Sequence, residues 1–156
     1  LPAEPFFYHY ITGREYLQLV HKKEYDSTLH LARILDLPVD QLVDTYSTGM
    51  KKKLAFVAII NQLVPIIILD EPFNGVDLES NELLKAVIRQ HKQDRMILVS
   101  SHILQTLTDI CDRIYYLREN HEILAFEKIH FDDLNQLIEF EIAQKLITKE
   151  SEEEYL

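Results

Sequence analysis

Hydrophobic positions in this chain fall into two textures. Up to residue 62 they recur at helical intervals, and after residue 65 they gather into short unbroken runs. Thr12-Gly13-Arg14-Glu15 has the spacing of a capping box, with Thr12 at the N-cap and Glu15 reaching back. Tyr16, Leu17 and Val20 follow as an apolar face. A second helix is predicted from Asp26 or Ser27, carrying Leu29, Ala32, Ile34 and Leu35 until Pro38 ends it. Residues 40–45 read as a short third helical piece with Leu42 and Val43 inward. Ser47 then caps a helix running to about Gln62, with Leu54, Val57 and Ala58 on its inward face.

Past Pro65 the pattern changes to strands. Ile66-Ile67-Ile68-Leu69 is apolar at every position, the signature of a strand buried on both faces of a parallel sheet. A loop through Asn74-Gly75-Val76-Asp77 leads to an amphipathic helix with Leu83, Leu84, Val87 and Ile88. Met96-Ile97-Leu98-Val99 is a second buried strand, ending in Ser100-Ser101-His102, and a helix over 103–111 follows. Runs 114–117 and 123–126, on either side of Arg118-Glu119-Asn120-His121-Glu122, predict a hairpin. From Asp132 the pattern is helical again and finishes in an acidic stretch, 150–154, read as a frayed helix end. Strands alternating with helices imply a parallel sheet with right-handed crossovers, a sheet to which the helical first half does not belong. The predicted class is therefore α/β: a helical subdomain over 1–62, an α/β core over 63–131 and a helical tail over 132–156.

Composition narrows the partners. The 156 residues suffice for one ordinary domain with a real core, and 47% hydrophobic with 27% charged residues is a globular balance. A formal charge of −10 argues against nucleic acid, whose phosphates call for clustered Lys and Arg. The one basic cluster, Lys51-Lys52-Lys53, reads as a solvated helix face. A single cysteine, Cys111, excludes an internal disulfide and fits a reducing compartment. No apolar run approaches the roughly 18 residues that span a bilayer, and none is patterned as a signal peptide. Leu1-Pro2-Ala3-Glu4-Pro5 has the texture of the middle of a loop, so the chain reads as a fragment.

Chemistry concentrates at the strand ends. Asp70 and Glu71 emerge, before Pro72, where open α/β sheets bind their ligands. One such carboxylate can hold a hydrated metal ion and the other can take a proton from an attacking water. Ser47-Thr48-Gly49 opens a helix, whose N-terminus offers unpaired N–H groups and a positive dipole end to phosphate. Each feature alone has an ordinary alternative. Ser47 can be a plain cap, Asp70-Glu71 a solvated strand end, Asp77 the N-cap of the next helix, and His102 a structural histidine. None of the other six histidines falls at a metal-ligand spacing.

Taken in order, these features resemble the nucleotide-binding domain of ABC transporters, from around its Q-loop to the C-terminus. Tyr46-Ser47-Thr48-Gly49-Met50 resembles the family signature LSGGQ, with Tyr46, Thr48 and Met50 as departures. The 66–71 segment resembles Walker B, Asn74-Gly75-Val76-Asp77 the D-loop, and His102 the switch histidine. The resemblance implies a P-loop NTPase-like (RecA-like) parallel sheet, incomplete at its N-terminus, with an inserted ABC-type α-helical subdomain. It implies ATP hydrolysis with Mg²⁺: Asp70 at the metal, Glu71 as catalytic base, His102 at the γ-phosphate, and Ser47, Gly49 and Asp77 as nucleotide-side contacts. The partners implied are a second nucleotide-binding subunit, head to tail, and transmembrane permease subunits, with the chain at the cytoplasmic face of the cell membrane. Segments 12–17 and 46–50 resemble export-type bacterial subunits. Phe6-Phe7-Tyr8-His9-Tyr10 then reads either as part of the permease-docking groove or as packing of the helical subdomain.

Two departures bear on activity. The Q-loop glutamine expected near Ala3 is not there, leaving Glu4 or a water as its replacement. No GxxxxGK(S/T) occurs, and none of Gly13, Gly49 and Gly75 precedes a Lys-Ser or Lys-Thr pair. The backbone cradle and lysine for the β- and γ-phosphates are thus missing from this sequence, as is the family's adenine-stacking aromatic. The chain alone is expected neither to bind ATP tightly nor to turn it over, while Ser47 and Gly49 remain for a complete partner. Two other readings stand beside this one: a non-transport ATPase of the same family, disfavoured by the acidic charge, and a degenerate module that only docks partners.

Overall fold

Thr12 starts the first helix as its spacing predicts. Its hydroxyl accepts the Glu15 N–H at 3.1 Å, and Glu15 Oε2 accepts the Thr12 N–H at 2.8 Å, closing the capping box of α1 (Gly13–Val20). The Thr12 N–H, then its hydroxyl, hold the Glu15 carboxyl below its ordinary value of 4.5. A depressed carboxylate contributes stability that is complete above its ordinary value and lost as pH falls through the depressed one. Thr12→Ala removes the hydroxyl that caps the Glu15 N–H, a loss expected to cost about 1 kcal/mol at neutral pH. Urea denaturation at pH 7 and pH 3 checks this, the difference between the two proteins being smaller in acid.

The computed structural model describes residues 1–21 and 25–153, with side chains as far as residue 146, in two compact units, Leu1–Leu104 and Gln105–Leu156. In the first unit, α1 and α2 (Tyr25–Ile34) pack on α3 (Thr48–Ile60). A 3-10 turn, Val43–Thr45, stands where the short third piece was expected. Leu17, Ala32, Leu35 and Val43 are buried as the pattern predicts. Ile34 and Leu42 are exposed instead, because α2 ends at Ile34 and the backbone at Leu42 is extended, so neither continues a helical face. Along α3 every residue from Lys52 to Ala58 is buried, so the helix is covered all round and has no single inward stripe. The Arg95 guanidinium donates to the Gln62 carbonyl at 2.6 Å, closing the turn beyond α3.

Among the described residues the sheet of this unit has two strands. β1 (Ile66–Asp70) and β2 (Met96–Ser100) run parallel in a register from Ile66↔Met96 to Asp70↔Ser100, joined through α4 (Leu78–His91). Leu84 and Ile88 of α4 are buried, and Leu83 and Val87 are partly so. Neither strand is buried on both faces. Ile67 and Leu69 point inward, whereas Ile66 and Ile68 are 51% and 61% exposed and share that outer face with exposed Met96 and Leu98. An unbroken apolar run requires helices on both faces of its sheet, and among the described residues only one face is covered.

The second unit holds most of α5 (Leu104–Ile110), an antiparallel hairpin of β3 (Arg113–Leu117) and β4 (Ile123–Glu127), and α6 (Phe131–Glu153). Arg118 bridges the hairpin turn to α6, pairing with Glu122 at 2.8 Å and Glu141 at 2.6 Å. In the acidic stretch expected to fray, α6 continues to Glu153, and Glu154 lies outside the described residues.

Candidate functional site

The end of β1 turns sharply at Glu71, whose φ of +45° lies in the left-handed region that non-glycine residues rarely occupy. The Glu71 N–H donates to the Ser100 carbonyl at 3.1 Å, carrying the parallel ladder one residue past its last register pair. Beside it the Ser100 hydroxyl donates to Asp70 Oδ1. The two strand ends are thereby locked together, and the segment leaving β2 carries His102 to the Glu71 carboxylate. Glu71 Oε1 accepts the His102 N–H at 3.0 Å and lies 3.0 Å from His102 Nδ1. In the neutral ring, an Nδ1–H donating to the carboxylate leaves Nε2 as the acceptor. The histidine side chain is 65% exposed and the glutamate 24%, so the pair stands at the surface with the carboxylate the more enclosed partner.

Leu1 runs along the edge of β1 away from β2. Its ammonium donates to the Ile68 carbonyl at 2.6 Å and its carbonyl accepts the Asp70 N–H at 2.8 Å.

Ser47 caps α3, its hydroxyl accepting the Met50 N–H at 3.2 Å, and both Ser47 and Thr48 are exposed. The start of α3, a positive helix end with unpaired N–H groups, is therefore exposed at Ser47 and Thr48. Gly49 faces the 74–77 loop: a Cβ on it would stand 2.7 Å from the Gly75 carbonyl oxygen. Gly75 itself has a φ of +75°. Asp77 caps α4, accepting the Ser80 N–H at 2.9 Å and the Ser80 hydroxyl at 2.8 Å. Those two bonds, the backbone one first, hold the Asp77 carboxyl below its usual range. The sequence alternative for Asp77, an N-cap, is thus its role within this chain, with the carboxylate still largely exposed.

Tyr46, which stands where the resemblance expects leucine, is accommodated by the fold. Its ring is buried, its hydroxyl donates to the Pro38 carbonyl at 2.8 Å, and Gly13 leaves room for it, since a Cβ there would lie 2.5 Å from the hydroxyl. In the aromatic segment one ring packs on the helical subdomain, as one of the two readings expects. Phe7 packs edge-on against Tyr16 of α1 at 4.8 Å between ring centroids, while Phe6, Tyr8 and Tyr10 are exposed.

The lysine cluster overturns its sequence assignment. Lys52 and Lys53 are buried, at 6% and 9% exposure, because the helix carrying them is enclosed by other elements. Lys52 Nζ donates to the Glu71 carbonyl at 3.1 Å. Lys53 Nζ donates to Ser80 Oγ at 3.2 Å and lies 3.7 Å from Asp77 Oδ2. The available signal was the run from Leu54 to Ile60, apolar at every position: a helix apolar all round is a buried one, and lysines at its start need partners. The structure therefore gathers Asp70, Glu71 and His102 at the strand ends and sets Gly49 against the Gly75–Asp77 loop. Lys52 joins the helix of one group to the turn of the other.

No family model matches the chain. It is 32% identical over 123 residues to an uncharacterised ABC transporter ATP-binding protein, YdbJ, of Bacillus subtilis, a match covering 74% of this chain and 40% of that protein. To the bacitracin transport ATP-binding protein BcrA of Bacillus licheniformis it is 30% identical over 154 residues, covering 90% of this chain and 49% of the relative. A solved structure described as the ATP-binding subunit of an ABC transporter superposes with a TM-score of 0.75 at 28% identity, over 88% of this chain and 60% of that one. The chain spans less than half the length of these two curated relatives.

Proposed function

This chain belongs to the ABC transporter ATP-binding proteins, and from that premise we propose that it carries the hydrolytic and signature half of an ATPase that drives a membrane transporter. The observation that carries this reading is the Glu71 turn. A strained backbone presents a carboxylate to the N–H and ring of His102, beside Asp70, at the C-terminal ends of two parallel strands. Structure kept at a local energetic cost is a pointer to function.

The roles follow from the chemistry of each group. The Glu71 carboxylate accepts the proton of the water that attacks the γ-phosphate, and its bond to the His102 N–H fixes its direction. The imidazole of His102, held through Nδ1, turns its other nitrogen outward toward the phosphoryl group. Asp70, exposed and hydrogen-bonded by Ser100, is the residue that would hold Mg²⁺. Among the described residues no three His, Cys, Asp or Glu side chains group around a metal ion, and a single carboxylate suits Mg²⁺, which keeps most of its waters and takes other ligands from nucleotide phosphates. When bound, that ion neutralises charge on the transferring phosphoryl group.

The exposed N-terminus of α3, at Ser47 and Gly49, serves phosphate of a nucleotide held by a second, head-to-tail subunit. Asp77 and its loop face that same subunit. Permease subunits dock on the side of Phe6, Tyr8 and Tyr10, rings whose exposure fits an interface. Such an assembly sits at the cytoplasmic face of the cell membrane, and no helix among the described residues is long and apolar enough to cross one. The division into a helical subdomain (1–62), an α/β core (63–131) and a tail (132–156) belongs to the same reading. The export-type assignment rests on segments 12–17 and 46–50.

A pair of ATPase assays tests this. A polypeptide joining this chain to an upstream P-loop segment is expected to hydrolyse ATP, and the 156-residue chain alone is not. Robust turnover by the chain alone would overturn the expectation that hydrolysis needs a P-loop segment joined to it. A joined polypeptide that folds yet neither binds nor hydrolyses ATP would favour the docking module instead.

A further inference from the structure

Glu71 owes its orientation to very few bonds. Its N–H donates to Ser100, and its carbonyl oxygen accepts from the Asn74 N–H at 3.3 Å and from Lys52 Nζ at 3.1 Å. The Asn74 bond lies at the long end of the usual range, whereas the Lys52 bond is shorter and assisted by charge. Lys52 reaches this carbonyl from the second turn of α3, a buried position where its stem could be matched by any unbranched apolar side chain. An ammonium is costly to enclose, so its presence is explained by what it holds. What it holds is the carbonyl of a left-handed residue, the conformation that aims the carboxylate at His102.

We propose that Lys52 is a positioning residue for Glu71: it ties the strained turn to α3 and so fixes where the carboxylate stands. The proposal rests on the reading of Glu71 as the base. It has a structural consequence, because α3 begins at the Ser47 cap and the helix end offered to phosphate is rigidly continuous with the group that orients the base. Lys53 is the internal contrast. Its ammonium serves Ser80 and Asp77 at the start of α4 and makes no bond to the Glu71 turn.

Residue-resolved amide hydrogen exchange on the 156-residue chain separates positioning from space filling. Lys52→Met keeps an unbranched stem and removes the ammonium, and Lys52→Arg keeps a charged donor. In Lys52→Met the His102 amide, which donates to Glu71 Oε1, is expected to exchange at least about tenfold faster, with the Tyr16 amide of α1 unchanged. Lys52→Arg restores the protection, and Lys53→Met leaves the His102 amide as it was. Uniform acceleration, no change, or an arginine variant behaving as the methionine one overturns the proposal. Should Lys52→Met not fold, the isotope-labelled unsubstituted chain supplies the test. A scalar coupling across the hydrogen bond from Lys52 Nζ to the Glu71 carbonyl carbon is expected, and its absence overturns the proposal. The exchange readout follows the placement of the carboxylate and the coupling follows the bond proposed to set it, and neither depends on its part in hydrolysis. The base assignment therefore fails separately, if Glu71→Gln leaves turnover intact.

Discussion

Glu71→Gln, in a polypeptide that joins this chain to a P-loop segment, is expected to slow ATP turnover roughly 10²- to 10⁴-fold, the range for losing a general base, while ATP binding persists. The substitution is nearly isosteric. The amide oxygen can still accept the His102 N–H at the place where Oε1 accepts it now, at 3.0 Å. What it cannot do is take a proton from water at neutral pH. Phosphate release under saturating ATP, with equilibrium binding of nucleotide to the same variant, separates the two effects. Unchanged turnover removes Glu71 from the role of base. Loss of binding together with turnover would mean that the carboxylate chiefly shapes the turn. Asp70→Asn supplies the contrast, since removing the residue assigned to Mg²⁺ is expected to weaken the dependence of turnover on that ion.

Much of this architecture is written locally. The capping box at Thr12 and Glu15 needs four residues and forms as spaced, and the hairpin and the crossover from β1 through α4 to β2 follow from runs of one texture. The candidate site was legible as residue types in order, because Asp70 ends one strand and Glu71 and His102 lie just past the ends of β1 and β2. Three matters were not local. The outer faces of Ile66 and Ile68 are exposed because strand burial depends on what covers the sheet, which the strand's own sequence does not state. A run of three lysines carries the pattern of a solvated face, whereas the burial of Lys52 and Lys53 is set by the elements around α3. The left-handed backbone at Glu71 carries no residue signal at all, since glutamate has no preference for it. It arises from bonds to Ser100, Asn74 and Lys52, partners 29, 3 and 19 residues away in sequence.

Gly49→Val is expected to destabilise the chain by about 1–3 kcal/mol, at the upper end of that range, or a fall in Tm of roughly 5–10 °C for a chain of this length. Any Cβ at this position meets the Gly75 carbonyl oxygen at 2.7 Å, and that obstacle is backbone, which cannot swing aside as a side chain would. Either the first turn of α3 or the loop before Asp77 must move. The loop is the less free of the two, because Asp77 is committed to the Ser80 N–H and hydroxyl at the start of α4. Valine gains only a few tenths of a kcal/mol over glycine in helix preference, too little to offset the clash. Gly75 poses the opposite problem. A Cβ there meets nothing within 4 Å, but the φ of +75° disfavours every residue except glycine and, less strongly, asparagine. The two glycines are therefore told apart by asparagine. At Gly75 it is expected to recover part of what alanine loses, by about 0.5–1 kcal/mol, since the penalty is conformational. At Gly49 it is expected to do no better than alanine, since the penalty there is steric. Thermal denaturation of the four variants reads this directly, and asparagine rescue at Gly49 would mean that the contact between α3 and the 74–77 loop is not what requires the glycine.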